Sequence, residues 1–142
     1  MRDKIIRIMW SKPLPINNAI VSDISITTGL FYITRVFGDN ETSLYIGKAT
    51  GGNTIRNRLK SHLDDWLYSY RGTKYVRIGT IIYPRTVTDS IIDHAENAIL
   101  YHNNFLEDNT AKVKSYSYEE LYRIENEGSI FEIPPVIRMQ EH

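Results

Sequence analysis

The 142-residue chain carries 17 Lys and Arg against 17 Asp and Glu, with 42% hydrophobic and 24% charged residues, the profile of one compact domain with a real core rather than a disordered chain. It has no cysteine, which excludes a disulfide scaffold, cysteine-ligated zinc, iron–sulfur clusters and a thiol nucleophile. A formal net charge of zero also withholds the strongly basic composition that marks many nucleic-acid binders.

In chain order, Ile5–Trp10 has the composition of a short strand, broken by Lys12-Pro13-Leu14-Pro15. Residues 11–28, rich in Ser, Thr, Asn and Pro, read as a connecting arm. Gly29–Val36 is dense in aromatic and β-branched residues and predicts a strand. Gly38-Asp39-Asn40 supplies turn chemistry, and Ser43–Gly47 is the returning strand of an antiparallel hairpin. Asn53 is a plausible N-cap for a helix whose apolar stripe is Ile55, Leu59, His62, Leu63, Trp66 and Tyr70, ended by Arg71-Gly72. Lys74–Tyr83 predicts a third strand. Thr86 or Thr88 can cap a second helix burying Ile91, Ile92, Ala95, Ala98, Ile99 and His102. Asn103–Thr110 reads as a polar loop, Tyr118–Glu127 as a third helix stopped by Gly128, and Pro134-Pro135 as the start of a tail.

The order predicts an α/β (α+β) sandwich around a central, mainly antiparallel three-stranded sheet flanked by helices. Residues 1–28 are expected to be an N-terminal arm, 29–110 the catalytic domain and 111–142 a helical extension. No apolar run approaches the roughly 20 residues of a membrane span, and Met1–Trp10 is too charged for a signal-peptide core. No membrane partner is expected, and the cytoplasm is the expected location.

Zero net charge conceals a segregation. Residues 48–77 set seven cations against Asp64 and Asp65, a net +5, whereas residues 89–132 set ten acids against three cations, a net −7. Two solvated faces would explain this, as would a phosphate-binding basic segment beside an acidic, metal-holding one.

The positional signal is more specific. Gly29-Leu30-Phe31, Tyr45-Ile46-Gly47-Lys48-Ala49, Asn57-Arg58-Leu59-Lys60-Ser61-His62, Glu96 and Asn109 occur in an order and on elements that resemble the GIY-YIG nuclease family. The likeness spans about residues 29–110. Phe31 stands where the family usually has tyrosine, keeping the ring and losing the hydroxyl, and Gly51-Gly52-Asn53 looks like a small loop insertion.

The resemblance implies a DNA endonuclease dependent on one Mg²⁺ or Mn²⁺, with Tyr45 as general base and Glu96 as metal ligand. Lys48, Arg58 and His62 complete the implied catalytic set; Phe31, Arg56, Lys60 and Asn109 are the expected substrate-binding residues. Arg58 and His62, spaced i, i+4, share one helical face, where a guanidinium can grip a phosphate. Lys48, Arg58 and a cation are expected to lower the Tyr45 pKa, although strand alternation points Lys48 to the other face from Tyr45. One carboxylate suffices for magnesium, which keeps most of its waters. His62 is expected to hydrogen-bond the tyrosine or relay its proton. The alternative is a nucleic-acid-binding module with the same fold and impaired catalysis. A third reading, an unrelated α/β domain, requires that Arg58, His62 and Glu96 not converge on a cleft. Neither flank carries a zinc finger or clear helix-turn-helix, so sequence reading would need a homodimer or a separate targeting domain or subunit.

Overall fold

A computed structural model describes residues 4–101 and 122–138. The elements are β1 (Lys4–Trp10), β2 (Leu14–Pro15), α1 (Ile16–Val21), β3 (Gly29–Phe37), β4 (Asn40–Ala49), α2 (Ile55–Asp65), β5 (Thr73–Tyr83), α3 (Asp89–Tyr101), β6 (Tyr122–Gly128) and β7 (Val136–Arg138). Short 3-10 turns cover Asp23–Ser25 and Leu67–Ser69. None of the described helices is long and apolar enough to cross a membrane.

The fold is mixed α/β around a mostly antiparallel sheet, but among the described residues that sheet has seven strands rather than three. Its order is β4-β3-β5-β1-β6-β7, with β2 paired to β5, and β1 runs parallel to β6. The three expected strands are β3, β4 and β5. The short strand expected at Ile5–Trp10 is β1, but it is no separate arm: it lodges between β5 and β6, and the residues after it supply β2 and α1. What draws β1 inward is its alternation: Ile6, Ile8 and Trp10 are buried while Arg7 and Met9 face out. Gly79 on β5 makes room for Trp10, because a Cβ there would lie 2.8 Å from the indole ring.

The expected helix Tyr118–Glu127 is also corrected, since residues from Tyr122 onward are strand β6. Its glutamates favour helix, but Ile124 and Asn126 alternate inward. There Asn126 Oδ1 accepts from Trp10 Nε1 at 2.9 Å and its Nδ2 donates to the Pro134 carbonyl. On the outward face Glu125 accepts from Arg7 and Arg123 at 2.8 and 3.1 Å. Pairing with β1 outweighs local propensity.

Alternate residues of β3 separate two cores. Leu30 and Tyr32, with Ile46 of β4, pack against Ile92, Ala95, Ala98 and Ile99 of α3. Phe31 and Ile33 pack with Leu44, Ile55 and Leu59 on the α2 side. The two long helices thus cover opposite faces, and β4 lies at the end of the strand order where they can meet around its edge. Asn103, Asn104 and Asn109, as well as His102, lie outside the described residues.

Candidate active site

Tyr45 owes its position to an irregularity in the hairpin. Ile33 pairs with Tyr45 and Thr34 with Ser43, which leaves Leu44 as an extra residue. Tyr45 and Leu44 therefore both belong to the α2 side. Phe31 and Tyr45 stack there with ring centroids 6.0 Å apart. Both rings reach across Gly47, where a Cβ would approach each to 2.6 Å. Glycine at 47 is thus a packing requirement of the aromatic pair.

Helix α2 brings the next two groups. Thr54, not Asn53, caps it, its Oγ1 accepting from the Asn57 N–H at 3.2 Å. One turn separates Arg58 from His62. The Arg58 Nε donates to the Lys48 carbonyl at 3.2 Å, and its positive charge acts on the Tyr45 hydroxyl, favouring the phenolate. The His62 ring lies 4.7 Å from that of Tyr45 and 5.8 Å from that of Phe31. Trp66, one further turn on, donates its Nε1–H to His62 Nδ1 at 2.8 Å. With Nδ1 accepting, the neutral imidazole carries its proton on Nε2 and is a donor there. In that form His62 can hydrogen-bond a phenolate or a substrate oxygen, but it does not take the tyrosine proton at Nε2.

Helix α3 supplies carboxylates from the other face. Glu96 is 1% exposed, and its Oε1 lies 3.8 Å from Lys48 Nζ. Asp93, one turn before it, binds the same ammonium directly and accepts from Asn97 Nδ2 at 3.3 Å. Lys48 thus points to the α3 face, as strand alternation expects, and meets Glu96 there. Thr88 caps the helix through its Oγ1, accepting from the Ile91 N–H at 3.3 Å. Asp89 Oδ2 accepts from the Gly51 N–H at 3.1 Å, tying the loop after β4 to the start of α3.

A cleft of about 190 Å³ opens between these elements, lined by Lys48, Thr50, Asn53, Arg58 and Glu96. Residues from α2 and α3, which cover opposite faces, thus share one cavity around the edge of β4. Its walls combine two cations with a carboxylate, a hydroxyl and a carboxamide, and the hard oxygen donors suit Mg²⁺ or Mn²⁺ with waters completing the shell. Among the described residues no cluster of three or more His, Asp or Glu side chains has metal-holding geometry.

Burial pushes the Tyr45 pKa above the ordinary tyrosine value. The positive Arg58 opposes that shift and Glu96 adds to it, so the expected lowering is not the net result. Lys48 spends its charge on Asp93 and Glu96.

Three expected substrate contacts are relocated. Phe31 is fully buried beneath Tyr45 and His62, so it supports the site and presents no surface to a ligand. Arg56 and Lys60 lie about 200° around the helix from Arg58. Arg56 Nη2 donates to the Ser22 carbonyl at 3.1 Å, and Lys60 is exposed on the outer side. Trp66, Asp93, Thr50 and Asn53 escaped the sequence reading as site residues. The i, i+4 spacing of His62 and Trp66 and the i, i+3 spacing of Asp93 and Glu96 were the available signals.

Comparison of the chain with protein-family models, with characterised proteins and with solved structures returned no match.

Proposed function

We propose that the protein is a metal-dependent endonuclease that hydrolyses DNA phosphodiester bonds, with the chemistry of the GIY-YIG family it resembles. The observation carrying this reading is the shared cleft: Arg58 and Lys48 offer phosphate-binding charge and Glu96 offers a buried carboxylate, while the Arg58 charge also acts on Tyr45.

Arg58 holds the scissile phosphate and offsets charge growing on its oxygens, its Nε bond to the Lys48 carbonyl fixing the guanidinium plane. Tyr45, once ionised, accepts the proton of the water that attacks phosphorus. The new P–O bond forms as the bond to the 3′-oxygen breaks, leaving a 5′-phosphate and a 3′-hydroxyl that takes its proton from solvent. His62, held by Trp66, donates from Nε2 and stabilises the oxyanion form of a neighbouring group. Glu96 is the residue to hold a divalent cation, with Thr50 and Asn53 as further oxygen donors at the cleft wall. When bound, such an ion supplies charge stabilisation at the phosphoryl and leaving oxygens.

The test incubates supercoiled plasmid and circular single-stranded DNA with Mg²⁺ or Mn²⁺. The wild type is expected to cleave and to lose that activity with EDTA, while Glu96→Gln and Arg58→Ala fall at least 100-fold. Cleavage that survives both substitutions overturns the mechanism.

A second reading, a nucleic-acid-binding module with impaired catalysis, is favoured by one observation, the burial of Tyr45, which pushes its pKa up. DNA binding without cleavage by any form would support it.

A further inference from the structure

Beyond the cleft, an aromatic row leaves Tyr45 and runs along the α2 face of the sheet. The Trp66 ring lies 5.5 Å from that of Tyr45, and the Tyr70 ring 5.8 Å from that of Trp66. Arg35 closes the row, its guanidinium carbon 5.2 Å from the Tyr70 ring centroid. Trp66, Tyr70 and Arg35 are all partly exposed, unlike the wholly buried Phe31 beside Tyr45. The row is also held in place: the Trp66 indole is fixed by His62, and Lys74 Nζ is hydrogen-bonded to the Tyr70 carbonyl.

Its far end gathers cationic side chains, with Arg35 and Lys74 direct partners across β3 and β5. Arg71 adjoins them, its carbonyl accepting from Arg35 Nη1 at 3.5 Å. Partly exposed rings that meet edge to face at 81° and a guanidinium over the last ring, with Lys74 and Arg71 beside it, combine the aromatic and cationic groups that bind a nucleotide strand. In a duplex the base faces are already stacked on one another, so ring contacts select unpaired bases.

We propose that the row Tyr45–Trp66–Tyr70–Arg35 seats unpaired nucleotides flanking the scissile phosphate, making single-stranded nucleic acid the substrate class. This rests on the reading of the adjoining cleft as a phosphodiesterase site, but binding is measurable without cleavage. The chain has two tryptophans, and Trp10 is 2% exposed, so Trp66 is the one available for a base to stack on. The experiment titrates the full chain, in EDTA to prevent cleavage, with decathymidylate, decauridylate and a ten-base-pair duplex while following tryptophan fluorescence.

Saturable quenching by a single strand is expected, at least tenfold tighter than any response to the duplex. Tyr70→Leu and Arg35→Gln should each weaken it at least fivefold. The arginine variant leaves the aromatic packing intact, which guards against a folding artefact in the other. Preference between the two oligomers reports whether the sugar is read, and tight quenching by either supports the proposal. No quenching, duplex binding as tight as single-strand binding, or affinity unchanged in both Tyr70→Leu and Arg35→Gln overturns it. Plasmid cleavage without single-strand binding would refute the seat and leave the nuclease reading standing; binding without cleavage would do the reverse.

Discussion

Trp66 holds His62 by a 2.8 Å bond from its indole N–H to the imidazole Nδ1, which makes His62 Nε2 the protonated nitrogen of the neutral ring. The pair therefore sets both the orientation of the histidine and its chemical role beside Tyr45.

Nitrogen-15 NMR of the imidazole is expected to show the Nε2–H tautomer alone at neutral pH. Trp66→Phe keeps an aromatic ring but removes the donor, so a tautomer mixture should appear. Loss of one such bond corresponds to about 1–1.5 kcal/mol. The cleavage rate at saturating DNA should accordingly fall about tenfold.

Gly47 lies where Phe31 and Tyr45 approach most closely, and a methyl group there would sit 2.6 Å from each ring. Because Phe31 is fully buried, its ring has little room to retreat. Gly47→Ala is expected to cost about 1–3 kcal/mol of stability, as overpacking does. It should also displace Tyr45, so urea denaturation and the cleavage rate should both register the change.

Lys48 Nζ lies 3.8 Å from the buried Glu96 carboxylate. Removing one partner of a buried pair is costlier than removing both. Lys48→Met should therefore destabilise the protein by about 1–3 kcal/mol, and adding Glu96→Gln should restore part of that loss in a double-mutant cycle. Strict additivity would show that the two groups do not interact.

Tyr32, on the opposite face of β3 from Phe31, is fully buried with its hydroxyl against Ser43. Burial raises its pKa from 10.0 to about 12. Below pH 10 the tyrosine is protonated in both folded and unfolded chains, and its contribution is intact. Between pH 10 and 12 the unfolded chain releases a proton that the folded one keeps, so stability falls with rising pH, by up to about 2–3 kcal/mol. Tyr32→Phe should flatten that decline while losing about 1 kcal/mol at neutral pH with the Ser43 bond. An unchanged alkaline slope would contradict the assignment.

Local chemistry made much of this molecule legible in its sequence. The hairpin, β5 and α3 follow from periodicity and turn residues, and so does α2 with its i, i+4 face of Arg58 and His62, but that helix ends at Asp65 and a 3-10 turn over Leu67–Ser69 replaces the expected continuation to Tyr70. Non-local pairing was not legible. Tyr122–Gly128 becomes a strand because β1 offers it a parallel partner and Trp10 gives Asn126 a hydrogen bond. Nothing within residues 118–127 announces either. The same holds at the site, where Asp93 matters because Lys48 crosses to α3, and where the Tyr45 pKa follows burial that only the assembled sheet provides. Phe31 and Arg56 show the complementary limit: ring and charge suit a ligand, and only the assembled fold shows the ring packed in the core and the guanidinium bonded to the Ser22 carbonyl.

The central claim is that Tyr45 accepts the proton of the attacking water beside Arg58, and the most direct test is the single-turnover cleavage rate of Tyr45→Phe against wild type with Mn²⁺ from pH 6 to 9. A base held above the ordinary tyrosine pKa must lose its proton to act, so the wild-type rate should rise about tenfold per pH unit across this range. Tyr45→Phe should fall at least 1,000-fold at pH 8, a loss of about 4 kcal/mol of transition-state stabilisation, and should lose the slope. A phenylalanine variant that cleaves at the wild-type rate with the same pH dependence would contradict the account.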